Sequence, residues 1–254
     1  MNALLIARNT FREATRDRLL AGLLVAGAAL LLVTQLLAPL AMGEGRRLTV
    51  DFGLSGISML GLLVVLMVGT SLVAKELERR TIYNLLSRPI ARPTYLVGKW
   101  IGLCASLWIF AALLGLGLGG LLAVRGAASY APGVAQATYL AGLELTVMTA
   151  LAVLFSALST PLLSALYTLG IYLVGQWSYD LRAFATHFPS GLRALVETCA
   201  NLAPNLPLFN ARTAVAAGHL AGADQLLVAT AYALLYSGCV LALAAAAFES
   251  RDFK

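Results

Sequence analysis

LLAGLLVAGAALLLVTQLLAPL, residues 19–40, decides the fold. It runs 22 residues without a charge, and only Thr34 and Gln35 carry polar side chains. A helix needs roughly 20 apolar residues to cross the hydrocarbon core of a bilayer, so this run is long enough to span. It is too long for the core of a signal peptide. The chain before it holds Arg8, Arg12, Arg16 and Arg18 with only Glu13 and Asp17 between them, so the run reads as a retained first span. Five further runs follow, at 52–74, 96–124, 137–158, 162–181 and 226–248. The fourth and fifth are separated only by Ser159-Thr160-Pro161, which predicts a tight reversal. The expected fold is therefore all-α, a single polytopic membrane domain of six transmembrane helices over 1–254.

Composition agrees. Of 254 residues, 60% are apolar and 12% are charged, against about 45–50% and about 25% in a soluble domain. This excludes a soluble enzyme and a disordered chain. The net charge of +6 does not indicate nucleic acid, because the basic residues are few and lie between apolar runs. They report topology instead. With the N-terminus inside, the inner segments hold 12 of the 18 Lys and Arg, among them Arg8, Arg12, Arg16, Arg18, Lys75, Arg79, Arg80 and Lys99. The positive-inside rule then places both termini in the cytoplasm of a multi-pass protein of the inner or plasma membrane.

Three segments between the spans carry information. Residues 1–18 read as an amphipathic interfacial helix, with Leu4, Leu5, Ala7, Phe11 and Ala14 on one face and Arg8, Arg12, Glu13, Arg16 and Asp17 on the other. The inner loop 75–93 reads KELERRTIYNLLSRPIARP. Residues before proline avoid the helical region, so a short helix there should end near Ser87 or Arg88. Its charged and apolar faces suit either a docking element or a solvated loop. The outer segment 182–225 shows helical spacing at Leu192, Leu195, Val196, Cys199 and Leu202, as expected of a helix on or in the outer leaflet. Asp224 is a plausible cap for the last span.

Together these pieces resemble the membrane subunit of an ATP-binding-cassette (ABC) exporter of the second permease class, in its multicopper-enzyme or nitrous-oxide-reductase maturation branch. The resemblance rests on IARNTFREATRDRLL from Ile6, KELERRTIYNLLSRPIARPTYLVGKWIG from Lys75 and FESRDF from Phe248. It implies that residues 1–18 form an elbow helix. It also implies that a coupling helix docks a separate ATPase through Glu76, Glu78, Arg79, Arg80, Thr81, Leu85, Leu86 and Pro89. The outer segment would supply re-entrant or interfacial helices. Many relatives have glycine where this chain has Arg80. The implied partners are two ATPase subunits, which bind the ATP and Mg, a second permease copy, the bilayer and an extracytoplasmic protein. No cofactor is expected on this chain.

No G-x-x-x-x-G-K-[ST] phosphate loop occurs. Gly98-Lys99 is followed by Trp100 and preceded by Pro93 where the motif needs glycine. The chain itself is therefore not expected to be an enzyme, and no catalytic residue is assigned. Gly53-Leu54-Ser55-Gly56 imitates an intramembrane serine protease motif. Its serine lacks a base, since His187 and His219 both lie in the outer segment. His187, Cys199 and His219 match no metal spacing, and no metal site is assigned. Glu144 is the one acid well inside a run. It either faces a polar interior or lies hydrated near the outer interface. Thr146, Thr149, Gln176 and Gln35 are candidates to join it in a polar lining. Gly115 and Gly119 suggest close helix approach. The alternative to a transporter is an anchor that holds an ATPase and transmits force to an outer protein without moving a solute.

Overall fold

The computed structural model describes residues 3–41, 43–70, 92–185, 191, 193, 196, 198 and 202–249. The chain is helical: α1 Ala3–Arg16, α2 Arg18–Leu37, α3 Gly45–Val64, α4 Arg92–Val124, α5 Ala131–Leu158, α6 Pro161–Gln176, α7 Ser178–Ala185, α8 Arg212–Ala216 and α9 Ala223–Glu249. Short 3-10 turns lie at Ala38–Ala41, Ala128–Tyr130 and Leu206–Phe209, and α3 ends in a π-helical turn at Val65–Gly69. Among the described residues there is no strand.

Five helices are long and apolar enough to cross a membrane: Arg18–Ala41, Gly45–Gly69, Pro93–Val124, Ala128–Leu158 and Ala223–Ala247. Several start earlier than hydropathy predicts. α3 takes in Arg46, Arg47 and Asp51, because a helix need not stop where the hydrocarbon does. α9 likewise begins at Ala223, so Asp224 sits in its first turn rather than capping it. The run read as the fifth span is divided. α6 has 16 residues, about 24 Å at the helical rise, and breaks at Trp177 before α7.

α5 is the axis. It packs on α3, α4, α6 and α9 and is the most enclosed of the five long helices. The outward apolar shell is supplied by α2 (Val25, Leu32, Leu36), α6 (Leu162, Leu163, Leu166) and α9 (Leu227, Leu234, Leu235), all exposed. The long helices lie side by side. Gly56 packs on Leu30, and Gly142 on Trp108.

The connections sort by end. The α2–α3, α4–α5 and α8–α9 connections lie at one end, where Gly126 and Gly218 take positive φ. Each terminates its helix by paired backbone bonds, Ala127 N–H to Leu122 O with Gly126 N–H to Ala123 O, and His219 N–H to Ala214 O with Gly218 N–H to Val215 O. Thr70, Arg92, the Ser159-Thr160 reversal and Glu249 lie at the opposite end. The reversal is as tight as expected, with Ser164 Oγ donating to Phe155 O at 2.8 Å. Segment 71–91 is outside the described residues, but both chain ends flanking it emerge on that face.

α1 seats on α4 by a different face from the one hydropathy suggests. Ile6, Ala7, Thr10 and Ala14 are buried, while Leu4 and Leu5 are exposed. Small residues on α4 decide this. A Cβ on Gly98 would lie 2.9 Å from Ala3 O, and one on Gly102 would lie 2.5 Å from Ala7 O and 2.7 Å from Thr10 Cβ. Lys99, buried, reaches Glu13 at 4.0 Å. At 1.5 Å per residue, Gly102 and Gly98 are about 9 and about 15 Å from the level of Trp108. α1 therefore packs on the half of α4 that leads to Arg92.

Candidate functional site: a polar cluster at the middle of the bundle

Glu144 is the fourteenth of the 28 residues of α5 and is 3% exposed. Of its two readings, the interior one holds. A carboxylate there needs partners, since burying a charge without them is costly. Gln176 Nε2 donates to Glu144 Oε1 at 2.8 Å and to the Tyr172 hydroxyl at 3.0 Å. Arg212 Nη2 lies 4.0 Å from Glu144 Oε2, and Arg212 Nη1 donates to Ser55 Oγ at 3.4 Å. The buried hydroxyl of Ser58 is a further polar neighbour of the carboxylate. Four elements thus converge: α3, α5, α6 and α8.

Arg212 follows a segment that packs inside the bundle. Tyr236, the midpoint of α9, donates its hydroxyl to Leu202 O at 3.1 Å. The Asn205 N–H donates to the Tyr232 hydroxyl at 2.9 Å, and Gln225 Nε2 donates to Leu208 O at 3.3 Å. Residues 202–208 therefore run along α9 from its middle toward its start. Non-helical backbone at that depth is tolerated only when protein or a wet cavity satisfies it, and the two tyrosines and Gln225 do so here. Gly175 of α6 opens the space, since a Cβ there would lie 2.8 Å from Pro204 O. Changing Tyr232 to Phe leaves the Asn205 N–H without its acceptor. The expected cost is about 1–3 kcal/mol, read as a lowered thermal midpoint of the purified chain, with Tyr179→Phe, at an exposed position, as a parallel control.

The four predicted pathway residues divide. Glu144 and Gln176 meet. Thr146 and Thr149 face α4 instead: Thr146 accepts from Trp108 Nε1 at 3.0 Å and donates to Gly142 O at 2.8 Å. Thr149 donates to Leu145 O at 2.6 Å. Gln35 is elsewhere, its carbonyl accepting from Arg125 near the connection end. Ser55, Ser58, Tyr172 and Arg212 are the members that sequence reasoning missed. The Gly53-Leu54-Ser55-Gly56 motif is packing, with Gly53 against Leu118 and Gly56 against Leu30. Gly115 approaches Thr138 closely, whereas Gly119 has nothing within 4 Å. His219 is exposed on the connection before α9, while His187 and Cys199 fall outside the described residues. No group of three or more metal-ligating side chains occurs among the described residues. The expected docking residues, Glu76, Glu78, Arg79, Arg80, Thr81, Leu85, Leu86 and Pro89, also fall outside them.

Residues 5–253 match the family described as ABC-2 family transporter protein. The chain belongs to the ABC-2 transporter family. It is a membrane permease subunit of an ABC transporter, embedded in the bilayer and partnered by an ABC ATPase. The match does not distinguish the maturation branch that the sequence resembles. No curated protein sequence matches the chain. The cluster joins α8 to the core helices α3, α5 and α6.

Proposed function

We propose that this chain is the non-catalytic half of an ATP-driven exporter, and that it converts ATP binding and hydrolysis on a separate ATPase subunit into movement of its spans. Membership of the ABC-2 family carries the reading. Two permease copies, most simply a homodimer, stand over two ATPase subunits, which alone bind ATP and Mg. Six passes with both termini in the cytoplasm of the inner membrane complete the topology, with α6 and α7 together making the fifth pass. The maturation-permease branch is retained as the finer assignment.

The inner loop 75–93 is the element that receives the stroke, and all of it before Arg92 lies in segment 71–91. Its described flanks, Thr70 and Arg92, lie on the face shared with the start of α2 and the end of α9. This is the arrangement a cytoplasmic docking loop requires. Glu76, Glu78, Arg79 and Arg80 supply charged contacts beside Thr81, Leu85 and Leu86 supply the apolar anchor, and Pro89 ends the helix. The ATPase moves this rod, and the spans exchange between two access states in proportion to their differential affinity for the ligand. Glu144, Gln176 and Arg212 hold the outward side closed in one of those states, with Thr146 and Thr149 lining the neighbouring α4–α5 seam.

The test is a co-purification series. Glu78→Arg with Arg79→Glu is expected to abolish retention of the ATPase and stimulation of hydrolysis while membrane insertion is unchanged. Retention and stimulation at wild-type level reject the docking role. The second reading, an anchor that acts on an extracytoplasmic protein without moving a solute, shares this loop. ATP-dependent solute movement in vesicles separates the two.

A further inference from the structure

We propose that α1 carries a binding surface for anionic phospholipid headgroups, built from Arg8, Arg12 and Arg16. The three arginines are spaced by four residues and form one stripe on the side of α1 turned away from α4. All three are exposed. Of the acids on the same segment, Glu13, half exposed, is 4.0 Å from Lys99 Nζ, and Asp17 Oδ1 accepts from the Leu19 N–H at 2.9 Å to start α2. Among the described residues no carboxylate pairs with Arg8, Arg12 or Arg16. Asn9, Arg12, Glu13 and Arg16 line an open groove of about 480 Å³.

Two observations favour lipid over a protein partner. The first is depth. α1 meets α4 about 9–15 Å from the middle of the bundle, while Thr70, Arg92 and Leu158 stand about 20–24 Å from it at the helical rise. A soluble subunit docked on that end meets the outer turns first, and α1 lies inside them within the last turns of a core of half-thickness about 15 Å, from which long arginine side chains reach the headgroups. The second is composition. Leu4 and Leu5, 78% and 54% exposed, stand one turn before Arg8 on the same side of the helix. Exposed leucine beside arginine suits an interface where acyl chains take the one and phosphates the other. The proposal needs only that the chain is membrane-embedded, so it stands or falls apart from the transport reading.

The test uses the full-length chain in nanodiscs of equimolar phosphatidylglycerol and phosphatidylcholine, followed by native mass spectrometry of retained lipid. The wild-type chain is expected to retain phosphatidylglycerol in preference, at about fivefold for each arginine that contributes. The Arg8→Gln, Arg12→Gln, Arg16→Gln triple variant loses the preference, and the triple Lys variant keeps it. Where the triple Gln variant is unstable, Arg12→Gln alone lowers the preference by about fivefold. Absence of a preference in the wild type, or its persistence in the Gln variants, overturns the proposal. So does loss of ATPase binding by the Gln variant with lipid preference unchanged, which assigns the stripe to the protein partner.

Discussion

Arg212→Ala is expected to be the most damaging single truncation outside the apolar core. It leaves the Glu144 carboxylate in the middle of the bundle with only neutral partners, Gln176 and the Ser58 hydroxyl. Removing one partner of a fully buried ion pair costs about 3–5 kcal/mol; with Arg212 22% exposed and 4.0 Å from the carboxylate, about 2 kcal/mol is expected, or a fall in thermal midpoint of about 5 °C for a chain of this length. The second consequence is local. Arg212 is the link between segment 202–208 and α5, so Leu208→Cys in the Arg212→Ala background becomes reactive to a polar maleimide, whereas it is protected with Arg212 present. Glu144→Gln with Arg212→Met removes both charges and keeps the volume. This double variant is expected to recover most of the lost stability. Additive effects of the two single changes mean that the residues are not coupled and that the cluster is not a latch.

Gly102→Leu is expected to detach α1. The position allows no Cβ, because the nearest atoms include the Ala7 carbonyl and the Phe11 amide nitrogen, which belong to the backbone of α1. Overpacking of this kind typically costs about 1–3 kcal/mol and moves backbone when side chains cannot give way. Loss of the α1–α4 contact is read as faster proteolysis near Arg16 and as a lowered thermal midpoint. Gly119→Leu is the matched control. It lies on the same helix with open space around it, so it is expected to change neither readout. An equal effect at both positions removes the steric argument.

The fold was largely legible because its signal is apolar length. Uninterrupted runs such as Leu19–Leu40 and Leu226–Phe248 identify spans from side-chain transfer energy alone, and the five long helices fall on five of the six predicted runs. Three things were not legible. Helix ends extend past the hydrocarbon into charged residues, as α3 does at Arg46 and Arg47, because hydropathy measures solvent and not hydrogen bonding. The packing face of α1 depends on Gly98 and Gly102, some 90 residues away in the chain. The cluster depends on residues 202–208 packing along α9 inside the bundle, which leaves no periodic trace. Glu144 was visible as an acid inside an apolar run, and Gln176 as a polar residue at the end of another. Arg212 was one outer arginine among several, and Ser55 sat inside a motif that suggested different chemistry. Thr146 and Thr149 were grouped with Glu144 by proximity in sequence, yet two and five residues along a helix point to other faces.

The central claim is that the ATPase sits on the face where 71–91 leaves the bundle. A photo-crosslinking residue placed at Leu85, and separately at Leu220 on the opposite connection, tests it in intact cells. The account predicts an adduct with an ATPase subunit from position 85 and none from position 220. An ATPase adduct from position 220, or none from position 85 in a chain that inserts normally, contradicts it.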